Sequence, residues 1–545
     1  MPMSPTRTQR RAPSPSWHGL LWGLVLLALI PLNSLADALD AALIDLSDRS
    51  FEVKQAAVEV IAVSGDPRAL KVLEALLDGD LYARTSDRRP VLAAASPAGF
   101  RLRDALEGTD LGEADRRDIR KITINNRMRT QLRSAIAALT LASPDAVLRL
   151  SAARELLGDP DPLVVEAIRA QFEREEDKQV RDSLALALAL ASLRDEDPEA
   201  RLSGVSALAG SLDPSARNAL TRLLGEETDP HVRAGAQRVL AGIEQKLKLN
   251  AAAETLFFGL SLGSVLVLAA IGLAITFGVM GVINMAHGEL IMIGAYSTYL
   301  VQQAMPGLID YSLFVAIPAA FLIAGLLGVL IERTVIRFLY GRPLETLLAT
   351  FGISLILQQL VRTTISAQNV AVQNPSWMSG ALQINPALAL TYSRLYILVF
   401  ALLVFLALLL ILKRTALGLQ VRAVSQNRSM ARALGVRSAR VDALTFGLGA
   451  GVAGVAGVAL SQLTNVGPNM GQAYIIDSFM VVVFGGVGNL WGTLVAGLTL
   501  GVANKLMEPW AGAVLAKILV LVFIILFIQK RPRGLFPQRG RAADG

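Results

Sequence analysis

The chain has 545 residues, which is too long for a single compact domain. Hydrophobic residues make up 53% of it and the mean hydropathy is +0.48, values that exclude an ordinary soluble protein and favour a membrane protein. The formal charge of +7 is compatible with nucleic-acid binding, but much of the excess lies in loops beside apolar runs, where membrane topology explains it, so we expect no nucleic-acid partner.

The N-terminus has the layout of a secretory signal. Three arginines precede an apolar core from Leu20 to Leu32, and Ser34 and Ala36 place small residues at the −3 and −1 positions of a cleavage site. This pattern predicts a signal peptide over residues 1–36, cleaved after Ala36. The alternative is an uncleaved anchor, although the apolar core is short of the about 20 residues that a spanning helix needs. In either case the following domain is predicted to be exported.

Residues 37–250 are polar and show a helical pattern with recurring motifs. Five Asp-Pro pairs each precede a helical stretch, as expected because Asp caps a helix N-terminus and Pro suits the first helical position. Units beginning at Lys178, Pro198 and Pro230 recur at spacings of 20 and 32 residues, which resembles a HEAT-like solenoid of stacked helix pairs. We predict a periplasmic domain of this kind, which is either a binding surface or a rigid spacer.

Residues 82–126 interrupt this helical pattern. The stretch is rich in Arg and Asp, and Pro90–Leu92 and Ile122–Ile124 are candidates for short strands. We interpret it as an insertion in the solenoid.

Residues 251–545 consist of apolar runs broken by glycines and short basic loops. Segments long enough to span a membrane lie at 255–276, 282–302, 312–331, 346–361, 395–412, 441–463 and 512–529, with a further apolar region at 475–504. Lys and Arg are concentrated in the loops 333–345, 413–440 and 530–541, which therefore define the cytoplasmic side. This pattern predicts a polytopic transmembrane domain with a cytoplasmic C-terminus.

Two of the apolar regions are interrupted by glycine. A single crossing by 475–504 puts the basic C-terminus on the wrong side, so we predict that this region enters and returns, with a break at Gly485–Asn489. A similar break from Gly278 to Asn284 separates the first two spans. Paired interruptions of this kind indicate a substrate path between repeats. The glycines predicted to break helices are Gly278, Gly281, Gly485, Gly486 and Gly488.

Polar side chains at the two breaks are the candidate path residues. Asn284, His287 and Glu289 lie at the first break and Asn489 at the second, in otherwise apolar sequence, where polar groups are costly and usually functional. We predict that these four residues either contact the substrate or fix the broken helices. No catalytic role is predicted for them, no spacing of His, Asp or Glu resembles a metal site, and no cofactor is expected.

The basic loop 413–440 carries seven Lys and Arg and no acidic residue. Within it, Gln426–Leu434 is predicted to form a short helix with one arginine face and one apolar face, which Gly435 ends. A loop of this composition is held in the cytoplasm and offers a docking surface there; the alternative is a loop that is basic only for topology. The predicted contact residues are Arg428, Met430, Ala431, Arg432, Leu434 and Gly435.

Four ordered motifs carry a resemblance to a known family. They are Gly281–Glu289 with Ile293–Tyr296, the loop from Gly418 to Gly435, Val483–Gly492, and Arg531–Phe536. Together they resemble the permeases of branched-chain amino-acid type ABC importers, over most of residues 255–540. Within that family, two features are similar to the urea permease branch. One is the long front domain, and the other is the sequence of the segments Val282–Met292 and Asp477–Met480.

The resemblance implies a bacterial inner-membrane permease that pairs with a second related permease, two ATP-binding subunits and a periplasmic urea-binding protein. It also implies that the helix Gln426–Leu434 is the coupling helix and that membrane lipid surrounds the spans. The chain has no G-x-x-x-x-G-K-[ST] loop, so ATP hydrolysis is assigned to the partners and the chain is not predicted to be an enzyme.

The expected fold class is therefore all-α, a polytopic helical permease preceded by a HEAT-like helical-repeat domain. The expected function is import of urea, with short amides as further solutes, by alternating access. Import of a branched-chain amino acid is the alternative within the family, and a membrane-anchored helical-repeat scaffold is the alternative from another class. Urea is preferred because a zwitterion usually meets a helix N-terminus or a cation, and the apolar breaks show neither.

Overall fold

The computed structural model describes residues 32–63, 66–96, 99–157 and 162–536. The predicted signal peptide falls almost wholly outside these residues, and the first described helix, α1, is Leu32–Asp45. The chain divides into two compact units, a front unit up to Glu244 and a membrane unit from Gln245.

The front unit contains a β-sheet, so the all-α prediction is wrong for this part of the chain. After α1, α2 (Phe51–Val63) and α3 (Pro67–Asp78), five strands form an antiparallel sheet in the order β4-β3-β2-β1-β5. The strands are β1 (Leu81–Arg84), β2 (Pro90–Ser96), β3 (Gly99–Asp104), β4 (Asp110–Ala114) and β5 (Ile119–Lys121).

Alternation of apolar and charged residues forms this sheet. In β3, Arg101 and Arg103 are exposed, while Leu102 between them is buried in a small core under the sheet. Pro90–Leu92 lies in β2, whereas Ile122–Ile124 follows β5 and lies outside the sheet. The strands are three to seven residues long, so each carries only a short alternating signal.

The rest of the front unit is a helical repeat. Its helices are α4 (Asn126–Thr140), α5 (Ala146–Glu155), α6 (Pro162–Arg174), α7 (Lys178–Ser192), α8 (Pro198–Ala207), α9 (Pro214–Glu226) and the first part of α10 (Pro230–Met280). Helices α8, α9 and α10 begin 52 residues after α5, α6 and α7 respectively. The spacings of 20 and 32 residues in the sequence are therefore alternate parts of one 52-residue, three-helix unit.

Each copy of this three-helix unit contains the same ion pair. Arg149 donates from Nε and Nη2 to the two carboxylate oxygens of Glu175, both at 2.8 Å. Arg201 does the same to Glu227, at 2.8 and 2.9 Å. In both copies Nη1 of the arginine also donates to two backbone carbonyls of the loop before its helix. Because two parallel hydrogen bonds fix geometry as well as charge, each pair holds its helices in register.

The membrane unit is helical apart from one hairpin, β6 (Ala381–Asn385) with β7 (Leu388–Thr391), in the part that the structure describes. After α10 its helices are α11 (His287–Ala304), α12 (Ile309–Thr334), α13 (Pro343–Thr364), α14 (Tyr392–Arg414), α15 (Ala416–Gln426), α16 (Arg428–Ala433), α17 (Ser438–Ser461), α18 (Met470–Gly485) and α19 (Leu490–Lys530). Short 3-10 helices occupy Pro306–Leu308, Ile336–Phe338 and Ser376–Met378. Six of the described helices are long and apolar enough to cross a membrane, which confirms a polytopic helical domain.

Helix α17 forms the centre of this unit. It is buried along almost its whole length and packs against α11 and α12. Glycines allow the backbones to touch: a Cβ on Gly454 would lie 2.6 Å from the carbonyl oxygen of Ala320, and one on Gly457 would lie 2.0 Å from that of Ile291.

Three glycine-containing interruptions divide the apolar helices. Helix α10 continues through Gly278 and ends at Met280, and Gly281 follows with φ of 66°. Helix α18 ends at Gly485, and the positive-φ residues Gly486 and Gly488 separate it from α19. A further interruption at Gly512 splits α19 into two segments. The region 475–504 therefore consists of most of α18, the turn after it and the first part of α19.

Candidate functional site

Residues 281–286 form the interruption between α10 and α11, and their polar groups face α13. Asn284 is buried, and its Oδ1 accepts a hydrogen bond from the Ala286 amide at 3.0 Å. The next amide, that of Met285, donates to Thr350 Oγ1 of α13 at 3.1 Å. Asn284 thus closes a turn onto Ala286, the residue before α11, while its Nδ2 has no partner among the described residues.

Glu289 lies in the first turn of α11 and is only 1% exposed. Its Oε1 accepts hydrogen bonds from Ser354 Oγ at 2.9 Å and from Gln358 Nε2 at 2.7 Å, both on α13. Its Oε2 is buried and has no partner within the described ranges. One side of the carboxyl group is therefore fixed, and the other is available for a hydrogen bond.

The residues of α13 that contact this segment, Thr350, Ser354 and Gln358, belong to a polar row at every fourth position, which the sequence analysis missed. The row is Thr346, Thr350, Ser354, Gln358 and Arg362, and all but Arg362 are buried. Residues four apart lie on one helix face. The sequence of the predicted span does contain a polar residue at every fourth position. The row was missed because the mean hydropathy of the segment is still that of a membrane span.

The N-termini of α11 and α18 meet beside Glu289. A Cβ on Gly288 would lie 2.4 Å from the carbonyl oxygen of Gly471, and one on Gly471 would lie 2.7 Å from Glu289 Oε2. The first amides of a helix have no partner within the helix, and the helix dipole makes that end electropositive. Glu289 therefore lies between two electropositive helix ends.

A cation also lies at the start of α18. Arg362, at the end of the polar row, donates from Nη2 to Oδ1 of Asn469, the residue before α18, at 2.6 Å. The expectation that the breaks offer neither a helix N-terminus nor a cation is therefore wrong. It failed because the helix ends meet through tertiary packing, which sequence spacing does not show.

His287 and Asn489 have structural partners elsewhere. His287 is fully buried and its Nε2 lies 2.9 Å from the carbonyl oxygen of Ala269, which joins α11 to α10. Asn489 caps α19: its Oδ1 accepts from the Gly492 amide at 3.1 Å, and its Nδ2 donates to the Phe536 carbonyl at 3.2 Å. From Gly471 to Gly485 helix α18 rises roughly 21 Å, so Asn489 is not grouped with Glu289.

The predicted docking helix is divided in the structure. Helix α15 ends at Gln426, Asn427 caps the next helix through its side chain, and α16 covers only Arg428–Ala433. Leu434 follows α16, and Gly435 has φ of 87°, as expected for a helix stop.

The side chains of this helix point in two directions. Arg428 donates from Nη1 and Nη2 to the two oxygens of Asp442 on α17, and its guanidinium carbon lies 4.9 Å from the centre of the Tyr340 ring. Arg432 Nε donates to Ser438 Oγ at 2.7 Å, and Ala431 is buried. The side chains of Met430 and Leu434 remain exposed, 59% and 78% respectively. The exposed surface of this segment thus carries two apolar side chains together with Ser429 and Arg432, which are also exposed, while Arg428 and Ala431 face the membrane unit.

Comparison with known proteins decides the family. A model of the family "Branched-chain amino acid transport system / permease component" matches residues 255–528, half of the chain. This chain belongs to that family. Branched-chain amino acid permeases named LivH, from Salmonella typhimurium and Escherichia coli K12, are each 33% identical over 291 residues, 52% of this chain and 94% of theirs. The permease BraD of Pseudomonas aeruginosa is 32% identical over the same length. No solved structure matches.

Family membership establishes several points. The chain is a multi-pass membrane protein and the permease component of an ABC transport system of the branched-chain amino acid family, and it is not an enzyme. The family match begins at residue 255, so it does not extend to the front unit.

Proposed function

We propose that this chain is the permease subunit of a bacterial inner-membrane ABC importer that moves a small nitrogen-bearing solute by alternating access. Its partners are two ATP-binding subunits, a second related permease and a periplasmic binding protein. Branched-chain amino acids are the first candidate solutes, because the relatives at 32–33% identity are named for them. The meeting of two helix N-termini beside Glu289 and Arg362 supports this candidate, since a zwitterion carries a carboxylate and an ammonium group.

The observation that carries the proposal is the two-sided character of α16. Its outer surface presents Met430 and Leu434, which a partner protein can cover, while Arg428 is joined to Asp442 near the start of α17. A helix that is exposed on one side and fixed to the central helix on the other transmits movement of a docked partner. We therefore assign the docked partner as an ATP-binding subunit, and the α16 end of the membrane unit as cytoplasmic.

The C-terminal segment supports the same orientation. Leu535 and Phe536 donate backbone hydrogen bonds to Phe484 and Gly485, at the end of α18, at 2.9 and 3.1 Å. The basic residues Lys530, Arg531 and Arg533 immediately precede this contact, and basic residues favour the cytoplasmic side. On this assignment the front unit is periplasmic.

Urea is a second candidate solute. The front unit lies outside the family match, and a long front domain resembles the urea branch. The amino-acid sequences of Val282–Met292 and Asp477–Met480 also resemble that branch. The buried part of the α13 row is uncharged, Thr350, Ser354 and Gln358 among its members, and hydroxyl and amide groups suit a neutral amide. For the front unit we propose a HEAT-like repeat that docks the binding protein.

Uptake by the assembled complex tests these proposals. The chain is produced with both ATP-binding subunits, the second permease and the binding protein, reconstituted in liposomes, and supplied with radiolabelled L-leucine or urea in separate assays. ATP-dependent accumulation of leucine supports the first candidate, and accumulation of urea without leucine supports the second. Accumulation of neither solute contradicts the proposed function.

Comparison of the full chain with a deletion variant tests the role of the front unit. Deletion of residues 41–245 with the predicted signal retained is expected to lower uptake and to weaken binding of the binding protein. Unchanged uptake contradicts a docking role.

A further inference from the structure

We propose that the solute binds where α11 and α18 begin, between the free Glu289 oxygen and the polar row of α13. The site is suited to a small molecule with N–H donors on one side and a carbonyl or carboxylate oxygen on the other. This inference rests on the proposed function and assigns a place and a chemistry to solute recognition.

Two unpartnered polar atoms mark the site. Glu289 Oε2 and Asn284 Nδ2 belong to side chains that are each 1% exposed, and neither atom has a hydrogen-bond partner in the part of the chain that the structure describes. Buried polar atoms are nearly always paired, so the unpaired atoms of residues 281–289, of which His287 Nδ1 is a third, require an explanation. A ligand that donates to the first atom and accepts from the second supplies it.

The two residues are held in place by their other polar atoms. Glu289 Oε1 accepts from Ser354 and Gln358, and Asn284 Oδ1 accepts from the Ala286 amide. These bonds fix which atom of each group is free, so the acceptor and the donor are already oriented. Groups ordered before binding lose less entropy when the ligand arrives.

Helix α18 approaches the free oxygen through a glycine. Gly471 lies directly beside Glu289 Oε2, where any Cβ would come within 2.7 Å of that oxygen. Glycine at this position therefore keeps the oxygen uncovered by a side chain. The electropositive ends of α11 and α18 also favour an electron-rich oxygen of the ligand, which the proposal places at Asn284 Nδ2.

An amino acid and urea share this chemistry. The ammonium group of an amino acid or the amino group of urea donates to Glu289 Oε2, and the carboxylate or carbonyl oxygen accepts from Asn284 Nδ2. A solute that lacks N–H groups leaves the Glu289 oxygen unpaired and is rejected. The other two predicted path residues are not assigned to the site: His287 Nε2 lies at the Ala269 carbonyl oxygen, and both polar side-chain atoms of Asn489 have partners.

Cysteine labelling can test the site directly, because the chain has no cysteine. Ser354→Cys places a single thiol in the polar row, and Gln358→Cys places one a turn further along α13. The assembled complex in liposomes is treated with a small polar thiol reagent during ATP turnover, alone or with L-leucine or urea. Leu355→Cys is the matched control, since Leu355 is the next residue and is 47% exposed.

The expected result is protection by the solute that the complex imports. At about ten times its dissociation constant, the solute slows labelling of Ser354→Cys about tenfold and leaves Leu355→Cys unchanged. Protection by leucine identifies an amino-acid site, and protection by urea identifies an amide site. Uptake by the wild-type complex without protection at either row position, or with no labelling there at all, overturns the site and leaves the proposed function intact.

Substitution of the carboxyl group gives a second measurement. Glu289→Gln removes the free acceptor while keeping the size of the side chain, and is expected to lower solute uptake about tenfold or more at an unchanged protein level. Glu508→Gln, at an exposed pair with Lys505 in α19, is the control for the same change. Wild-type uptake by Glu289→Gln overturns the assignment. Failure of the wild-type complex to import either solute overturns the proposed function itself, and this site with it.

Discussion

Arg428 binds Asp442 through both carboxylate oxygens, with Nη1 to Oδ2 at 2.6 Å and Nη2 to Oδ1 at 3.0 Å. The pair connects α16, which offers an exposed apolar surface, to α17, which lies at the centre of the membrane unit. Asp442 is 1% exposed, and removal of the arginine leaves a buried carboxyl group without its partner.

Breaking this pair is expected to uncouple ATP hydrolysis from uptake. Arg428→Asp and Asp442→Arg each leave a charge without its partner, and we expect each to reduce the solute imported per ATP about tenfold or more. The double substitution restores an opposite-charge pair and is expected to recover part of the ratio. Uptake and ATP hydrolysis are measured on the same liposomes. Arg440→Asp, at an exposed position of α17, is the control, and an equal loss in that variant contradicts a specific role for the pair.

A charge on the outer surface of α16 is expected to prevent docking of the ATP-binding subunit. Met430→Asp and Leu434→Asp place a carboxylate in an apolar contact, and each is expected to cost on the order of 2 kcal/mol of binding. Co-purification of the ATP-binding subunit with the permease measures the effect. Leu419→Asp, at a 63% exposed position on α15, is the matched control. Undiminished co-purification of the two α16 variants rules out docking through this surface.

Alanine at the contact between α11 and α18 is expected to destabilise the membrane unit. A Cβ at Gly288 or Gly471 would lie within 2.4 to 2.6 Å of the other backbone, and overpacking of this kind costs about 1–3 kcal/mol. Thermal unfolding in detergent, followed by tryptophan fluorescence, measures the loss. Gly352→Ala in α13 is the control, because a Cβ there meets nothing within 4 Å. Equal melting temperatures for all three variants would show that the helix ends do not touch.

The sequence predicted the membrane architecture better than the contacts within it. Long apolar segments indicate spans directly, whereas the prediction that 475–504 enters and returns rests on the charge of the C-terminus and stays a prediction. The α13 row was missed because polar residues four apart do not lower the mean hydropathy of a span enough to be noticed. The direction of Arg428 was missed because its partner, Asp442, lies in the next long helix, and only tertiary packing brings them together.

The front unit shows a similar division between local and non-local information. Asp-Pro pairs marked helix starts because an N-cap is a local interaction, and Asp197 and Asp213 each accept from an amide two residues ahead. The sheet was given only as two short strands because its strands are short and its pairing joins distant residues, such as Tyr82 with Lys121. The 52-residue repeat was not predicted, and it is seen in the spacing of the helix starts and in the equivalent ion pairs of both copies.

The ion pair of the first repeat copy predicts an acid dependence of the front unit. Hydrogen bonds from Arg149, then from Gln171 and the Asp177 amide, lower the pKa of the Glu175 carboxyl from its ordinary value of 4.5 to about 2. A carboxyl group with a lowered pKa in the folded state contributes stability that is fully present above its unfolded pKa. That contribution is lost as the pH falls from about 4.5 toward 2, because the unfolded chain takes up the proton first.

Glu175→Gln should remove this dependence and lower the stability of the repeat by on the order of 2 kcal/mol at neutral pH, since it loses a charged acceptor. Hydrogen exchange of peptides from α6 and α7 in the full-length protein, corrected for the intrinsic effect of pH, measures both effects. Wild-type protein is expected to exchange faster as the pH is lowered from 5 to 3, whereas the variant exchanges fast at both values. Glu176→Gln, at the exposed neighbouring position, is the control and should behave as wild type. Acid-induced exchange of the same size in Glu175→Gln and wild type would place the sensitive group elsewhere in the repeat.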